Sequence, residues 1–269
     1  MNDQISTQLI LDYVAKAPVA LALERSVEST LFSSIEFVEP VLDIGCGDGI
    51  FAALTFKNRI TYGLDPNKRE LICAKNSNAY ENLICAYGNE IPLKDNSVGT
   101  VFSNSVLEHI KDLGPVFEEI YRVLKPGGLF VFTIPSERFD SYSNLNIVLE
   151  KLSLGFIAKK YRNFYNYFWR HYNFMSKDDW IKWVNSYGFN LIHAFSYNPK
   201  FNCRLNDALA VLGLPAKINK IFFNRWTFFS AFRSLYLRPF VKILQPFLRN
   251  ATCDIEGGLV FISVAKPLE

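Results

Sequence analysis

The sequence predicts a doubly wound α/β fold: a mostly parallel seven-stranded sheet with helices on both faces, N-terminal helices before it and a helical insertion before the last strand. Three observations predict it. Short apolar runs alternate with helical stretches between residues 40 and 135. A turn with glycine at every second position joins the first apolar run to the helix after it. The 269 residues are 49% apolar and 20% charged, a globular balance that can bury a core without disulfides or a metal.

The elements follow in order. Residues 5–39 read as two helices broken at Pro18, with Leu23, Val27 and Leu31 at i, i+4 and i+8 making a buried stripe. Residues 41–44 form the first strand, 49–57 a helix, 60–64 the second strand, 67–77 a helix, 83–86 the third strand and 98–103 the fourth. The helix over 112–124 carries Leu113, Phe117, Ile120 and Leu124 on one face, and Pro126-Gly127-Gly128 stops it. Residues 129–134 are the fifth strand. The alternation then stalls for about forty residues, longer than an ordinary connection. It resumes at Ser176, an N-cap with Asp179 three residues on, which opens a helix to Tyr187. Residues 189–197 and 258–265 are the last two strands. The divisions are 1–39 for the N-terminal helices, 40–198 with 257–269 for the sheet domain, and 199–256 for the insertion.

Composition excludes several classes. A net charge of +3 is too small to argue for nucleic acid. The five cysteines, Cys46, Cys73, Cys85, Cys203 and Cys253, have neither metal-ligand nor redox-pair spacing, so neither a disulfide framework nor a metal is expected. The N-terminus lacks the pattern of a signal peptide, and no apolar run is long enough to span a bilayer, so a reducing cytoplasm is the expected compartment. Aromatic residues are abundant: 24 Phe, 13 Tyr and 4 Trp.

The run Val41-Leu42-Asp43-Ile44-Gly45-Cys46-Gly47-Asp48-Gly49 carries the chemistry. Its glycines let the backbone turn tightly and approach a ligand at the carboxyl end of the strand. A dinucleotide fingerprint would need glycine at position 50, which is Ile50, and a pyrophosphate would be repelled by Asp43 and Asp48. A ligand bearing an ammonium and a sulfonium suits those acids instead. The chain resembles the class I S-adenosylmethionine-dependent methyltransferases, the broad small-molecule group with a Rossmann-like sheet, closely over 41–135 and loosely over 171–197 and 258–267. Gly63-Leu64-Asp65-Pro66 is similar to the second motif, whose acid holds the ribose hydroxyls. The stretches 89–97, 103–110 and 124–128 resemble the motifs after it.

The resemblance implies a cofactor, S-adenosyl-L-methionine, held by Asp43, Gly45, Cys46, Gly47, Asp65, Pro66, Tyr87, Gly88, Asn89 and Ser103. Tyr87 departs from the family, which usually has Asp there for the adenine amino group. A phenol can still accept a hydrogen bond, with Gly88 and Asn89 supplying backbone groups.

Acceptor chemistry rests on few residues. Methyl transfer needs in-line alignment in a dry pocket, and an oxygen acceptor gains from a base. His109, after the fourth strand, is the first candidate and His171 the second; the competing reading of His109 is a packed, hydrogen-bonded side chain. His193 alternates with Leu191 on a strand and reads as structural. Residues 164–174, FYNYFWRHYNF, suggest an aromatic wall over the acceptor or a core cluster under a loop. Ser103-Asn104-Ser105 lacks the Pro-Pro-Tyr pattern of enzymes that methylate nucleic-acid amines, and no Pro-Cys dipeptide occurs.

Between residues 199 and 250 nine Lys or Arg face Asp207 alone, so the remainder of the chain is acidic. Phe228, Phe229, Phe232, Leu235 and Tyr236 fall on one helical face. Such a stretch can lie on an anionic membrane or merely cap its own domain. The expected function is methylation, on oxygen, of a small-molecule, glycan or lipid-linked acceptor, with no nucleic acid and no obligate protein partner. The rival is a non-catalytic cofactor-binding or membrane-associated protein on the same fold.

Overall fold

The computed structural model describes residues 5–227, 230–248, 250–252 and 256–268. Phe228, Phe229, Arg249 and Cys253 lie outside the described residues.

Seven strands form one sheet in the order β3-β2-β1-β4-β5-β7-β6. They are β1 Val41–Ile44, β2 Ile60–Leu64, β3 Tyr80–Ile84, β4 Val98–Asn104, β5 Leu124–Pro135, β6 Asn190–Tyr197 and β7 Leu259–Ala265. β1 runs parallel to β2 and β4, β2 to β3, and β4 to β5, while β7 is antiparallel to both β5 and β6. The strand order reverses between β1 and β4, which opens a crevice at their carboxyl ends, the usual ligand position in such sheets.

Alternation along the strands sorts the core into two layers. Leu42 and Ile44 of β1, Phe130, Phe132 and Ile134 of β5, and Val260, Ile262 and Val264 of β7 face one side. There they meet Phe117 and Ile120 of α5 (Gly114–Val123) and Trp180 and Val184 of α8 (Lys177–Ser186). Val41, Val131, Leu259 and Phe261 face the other side, under α1 (Thr7–Lys16) and α2 (Val19–Ser33). Leu23, Val27 and Leu31 of α2 are all buried, so the predicted stripe is a true core face. The short α3 (Ile50–Thr55) and α4 (Lys68–Ser77) follow the first two strands.

Three elements differ from the sequence expectation. β3 starts at Tyr80, before the predicted residue 83, because Glu81 and Asn82 lie exposed on an edge strand and break its apolar run. Tyr80 anchors that start, its ring filling the space a Cβ on Gly63 would occupy. β5 begins at Leu124, before the predicted 129. Gly127 and Gly128 exchange backbone hydrogen bonds with Lys266 there and extend the β5–β7 ladder. The long stall after β5 contains two helices, α6 (Asn144–Lys151) and α7 (Gly155–Trp169). Phe156, Phe164 and Tyr167 stand exposed on α7 among Lys159, Lys160 and Asn163, so apolar and polar residues mix on its outer surface and blur the helical period.

After β6 come α9 (Lys200–Ala210), α10 (Leu214–Phe223) and α11 (Ser230–Leu244). Gln245 ties the end of α11 to the N-terminal helices, accepting from the Thr7 hydroxyl at 2.9 Å and donating to the Ile5 carbonyl at 3.0 Å. Among the described residues, no helix is long and apolar enough to cross a membrane.

Candidate active site

The glycine turn leaves β1 at the crevice. Gly45, Gly47 and Gly49 all have positive φ, and the amides of Gly45 and Cys46 donate to the Leu64 carbonyl at 2.8 and 3.0 Å. A Cβ on Gly45 would lie 2.4 Å from Val106, so the turn after β4 is packed directly on the turn after β1. A Cβ on Gly47 would meet nothing closer than a carbonyl oxygen at 4.0 Å, which leaves open space for a ligand above the loop.

Acids line this space. Asp65, at the end of β2, accepts from the Gly47 amide at 3.0 Å through Oδ2 and from the Asn67 amide at 2.7 Å through Oδ1. Each carboxylate oxygen keeps a further lone pair, as a bidentate ribose contact requires. Asp43 is 4% exposed and accepts from the Tyr80 hydroxyl at 2.6 Å. Burial, opposed by that bond and reinforced by the Asp65 charge, pushes its carboxyl up to about 7. A cationic ligand relieves such a group. The donor set therefore fits a cofactor bearing a ribose, an ammonium and a sulfonium.

The other expected cofactor residues take several positions. Cys46 is buried and desolvation raises its thiol, so it packs rather than reacts. Pro66 and Asn89 are exposed at the crevice rim, and Gly88 sits close to Val116. Tyr87 is 67% exposed, with its ring at the surface. Ser103 is fully buried and spends its hydroxyl on the Ile44 carbonyl at 3.0 Å, clamping β4 to β1.

Asp48 has a partner that sequence reading did not find. Lys220 of α10 donates to Asp48 at 2.9 Å and to Glu70 of α4 at 2.7 Å, and the Trp226 indole donates to Asp48 at 3.1 Å. The insertion thus reaches back over the glycine turn, and no local signal linked residues so far apart.

A cavity of about 530 Å³ adjoins the crevice, lined by Glu108, His109, Phe139, Tyr165, Trp169 and His171 among others. The aromatic segment 164–174 both packs and lines this cavity. Its end is pinned to the turn after β4: the Tyr172 amide donates to the Glu108 carbonyl at 2.7 Å, and Asn173 Nδ2 donates to the Leu107 and Ile110 carbonyls. That pinning brings the His109 and His171 rings to 5.4 Å between centroids, at an interplanar angle of 34°. His109 Nδ1 lies 3.1 Å from the Arg170 carbonyl, an oxygen that only an N–H can approach. Its Nε2 is thereby left without a proton. Desolvation lowers both imidazoles, His171 to about 4. His193 stands exposed on β6, away from this group.

Behind the cavity lies a buried node. Glu28 of α2 is fully buried and accepts from Asn104 Nδ2 at 2.9 Å, Ser105 Oγ at 2.9 Å and the Tyr197 hydroxyl at 3.0 Å, and it pairs with Arg25. It locks the N-terminal helices onto the carboxyl ends of β4 and β6. In a helix whose other charged residues are Glu24 and Arg25, it reads as a surface charge.

A doubly wound sheet with a glycine turn after β1, an acid closing β2 and a cavity beyond β4 defines a class I methyltransferase fold. Residues 42–132 match the family described as a methyltransferase domain, so the chain carries a class I S-adenosylmethionine-dependent methyltransferase domain, whose cofactor is S-adenosyl-L-methionine. An uncharacterized methyltransferase of Mycobacterium sp. (strain JLS) is 36% identical over 94 residues, 35% of this chain and 37% of that protein. A malonyl-[acyl-carrier protein] O-methyltransferase of Serratia marcescens is 30% identical over 140 residues, 49% of this chain and 54% of that protein. The match therefore spans about half or less of these relatives. A solved methyltransferase of Thermotoga maritima, described as a possible histamine N-methyltransferase, shares the fold with a TM-score of 0.57 at 17% identity, covering 92% of this chain and 91% of that one.

Proposed function

We propose that the whole chain is an S-adenosylmethionine-dependent methyltransferase that methylates an oxygen of a small-molecule, glycan or lipid-linked acceptor with a substantial apolar part. The observation that carries this reading is the aromatic cavity, which ends on His109 and His171 and adjoins the turn packed on Gly45. Tyr165 and Trp169 offer apolar surface to an acyl, prenyl or aromatic group. Oxygen as the accepting atom is supported by the O-methyltransferases among the relatives.

The cofactor supplies an activated methyl group. Held by Asp65, Asp43 and the glycine turn, it would give that group to the acceptor oxygen, the electron pair of the broken carbon–sulfur bond staying with sulfur. His109 presents an unprotonated Nε2 and receives the hydroxyl proton. In His109→Ala, turnover falls roughly 10²–10⁴-fold while S-adenosylhomocysteine still binds. A loss under tenfold returns His109 to a packing role.

We also propose that the outer face of the insertion touches an anionic membrane. Ile221 and Phe222 on α10 and Phe232, Leu235 and Tyr236 on α11 are each more than 60% exposed, beside the exposed Arg225 and Arg238. Lys217, over the Phe168 and Trp169 rings at 4.3 and 5.0 Å, connects this face to the cavity. Arg233 serves this surface less well, since its Nε is buried and desolvation lowers the group. Lipid and metabolite profiling of a deletion strain, followed by S-adenosylhomocysteine release on adding back the missing acceptor, tests the enzyme. Binding of cofactor without turnover on any such acceptor would favour the non-catalytic reading.

A further inference from the structure

Glu108, His109 and His171 each offer one ligand-competent atom, and these atoms lie within 4.8 Å of one another. Glu108 Oε1 and His109 Nε2 are 3.8 Å apart. Around a tetrahedral first-row ion with bonds of about 2.0–2.2 Å, donor atoms stand about 3.4 Å apart, so small side-chain rotations close the set. The second shell is already built. His109 gives its Nδ1 hydrogen to the Arg170 carbonyl, as metal-bound histidines commonly do, and this aims the Nε2 lone pair at the other two residues.

Two buried atoms in the group lack any partner. Glu108 Oε2 and His171 Nδ1 make no hydrogen bond, although the Glu108 side chain is only 3% exposed. A buried carboxylate oxygen left this way is costly. The Arg25 charge offsets only part of that cost. Glu24 and Glu28 lie in the same field, and Arg25, the cation among them, is engaged by Glu28.

We propose that Glu108, His109 and His171 bind one divalent first-row transition-metal ion at the inner end of the cavity, with its remaining positions open to the acceptor oxygen. Two imidazoles and a carboxylate suit Zn²⁺, Mn²⁺ or Fe²⁺ rather than Mg²⁺ or Ca²⁺. The inference rests on the cavity being the acceptor site, and it changes His109 there from proton acceptor to ligand. Coordination would lower the pKa of the hydroxyl, whose proton then passes to solvent. The metal-held oxygen then forms the new bond to the methyl carbon while the sulfur keeps the electron pair of the bond that breaks.

Full-length protein stripped by a chelator and dialysed is titrated with Co²⁺, followed by visible absorption and calorimetry. The expected result is one ion per chain, with affinity weakened at least about tenfold by His171→Ala and by the near-isosteric Glu108→Gln. His193→Ala should bind as the unaltered protein does. Zn²⁺ and Mn²⁺ should displace Co²⁺. Absence of stoichiometric binding in folded protein, or binding untouched by His171→Ala, overturns the proposal. With an acceptor in hand, turnover lost to chelation and restored by metal supports it. Full turnover by metal-free protein overturns it and leaves His109 as the base. Stoichiometric binding at these residues without methylation of any acceptor leaves the metal site standing and removes the acceptor reading instead.

Discussion

Replacing Asp43 with Asn should change how the stability of the cofactor-free protein depends on pH. Asp43 is buried, receives one hydrogen bond from Tyr80 and feels the charge of Asp65, so its carboxyl rises from 3.8 to about 7. The folded chain therefore holds this proton more tightly than the unfolded chain. Between those two values the folded state binds more protons, and stability falls as pH rises through the window. At about 1.4 kcal/mol per unit, ionising Asp43 costs the folded state about 4 kcal/mol by pH 8. Asn at position 43 still accepts from Tyr80 and never ionises. Urea titrations of both proteins at several pH values from 5 to 8 should show the variant gaining on the parent with each unit, flattening above about pH 7. Glu24 and Glu108 titrate in both proteins and cancel in the difference. A cationic cofactor should stabilise the parent more than the variant, because its charge compensates ionised Asp43. A stability difference independent of pH would refute the argument and place Asp43 among ordinary carboxylates.

Asp65→Ala removes the acceptor of the Gly47 and Asn67 amides as well as the proposed ribose contact; S-adenosylhomocysteine affinity by calorimetry should fall by about 1.5–3 kcal/mol, and an unchanged value would move the ribose elsewhere. Gly45→Ala meets Val106 at 2.4 Å with φ near +78°, so chemical denaturation should show a loss of about 2–5 kcal/mol. Adding Val106→Ala should restore the steric part alone, and full restoration would mean the positive φ carries no cost. Flotation with anionic liposomes should be lost at high salt and on changing Arg225 and Arg238 to glutamate, since each basic residue contributes about 1 kcal/mol near such a surface. Protein that never floats would assign the α10–α11 face to another role.

Where one residue type could do only one job, the sequence was legible. Gly45 and Gly47 need positive φ, Asp65 ends a strand at the crevice, and the apolar runs of β1, β4 and β5 are buried on both faces. Legibility failed where tertiary contact decided the role. β3 was misplaced because an edge strand tolerates Glu81 and Asn82, and only the packing of Tyr80 on Gly63 marks its start. Glu28 looks like a solvated helix charge until Asn104, Ser105 and Tyr197, all distant in sequence, converge on it. Likewise, His109 and His171 become a pair only because residues 172 and 173 are tied back to the turn after β4.

Lys220 holds the glycine turn through Asp48 and α4 through Glu70, while the next residues of its own helix, Ile221 and Phe222, point to solvent. One side chain therefore joins an outer surface to the loop that would carry the cofactor. Equilibria at the two places share a single coupling energy, and by thermodynamic necessity it acts equally in both directions. A ligand that needs Asp48 in its present position resists the displacement of α10, and displacement of α10 opposes that ligand to the same degree.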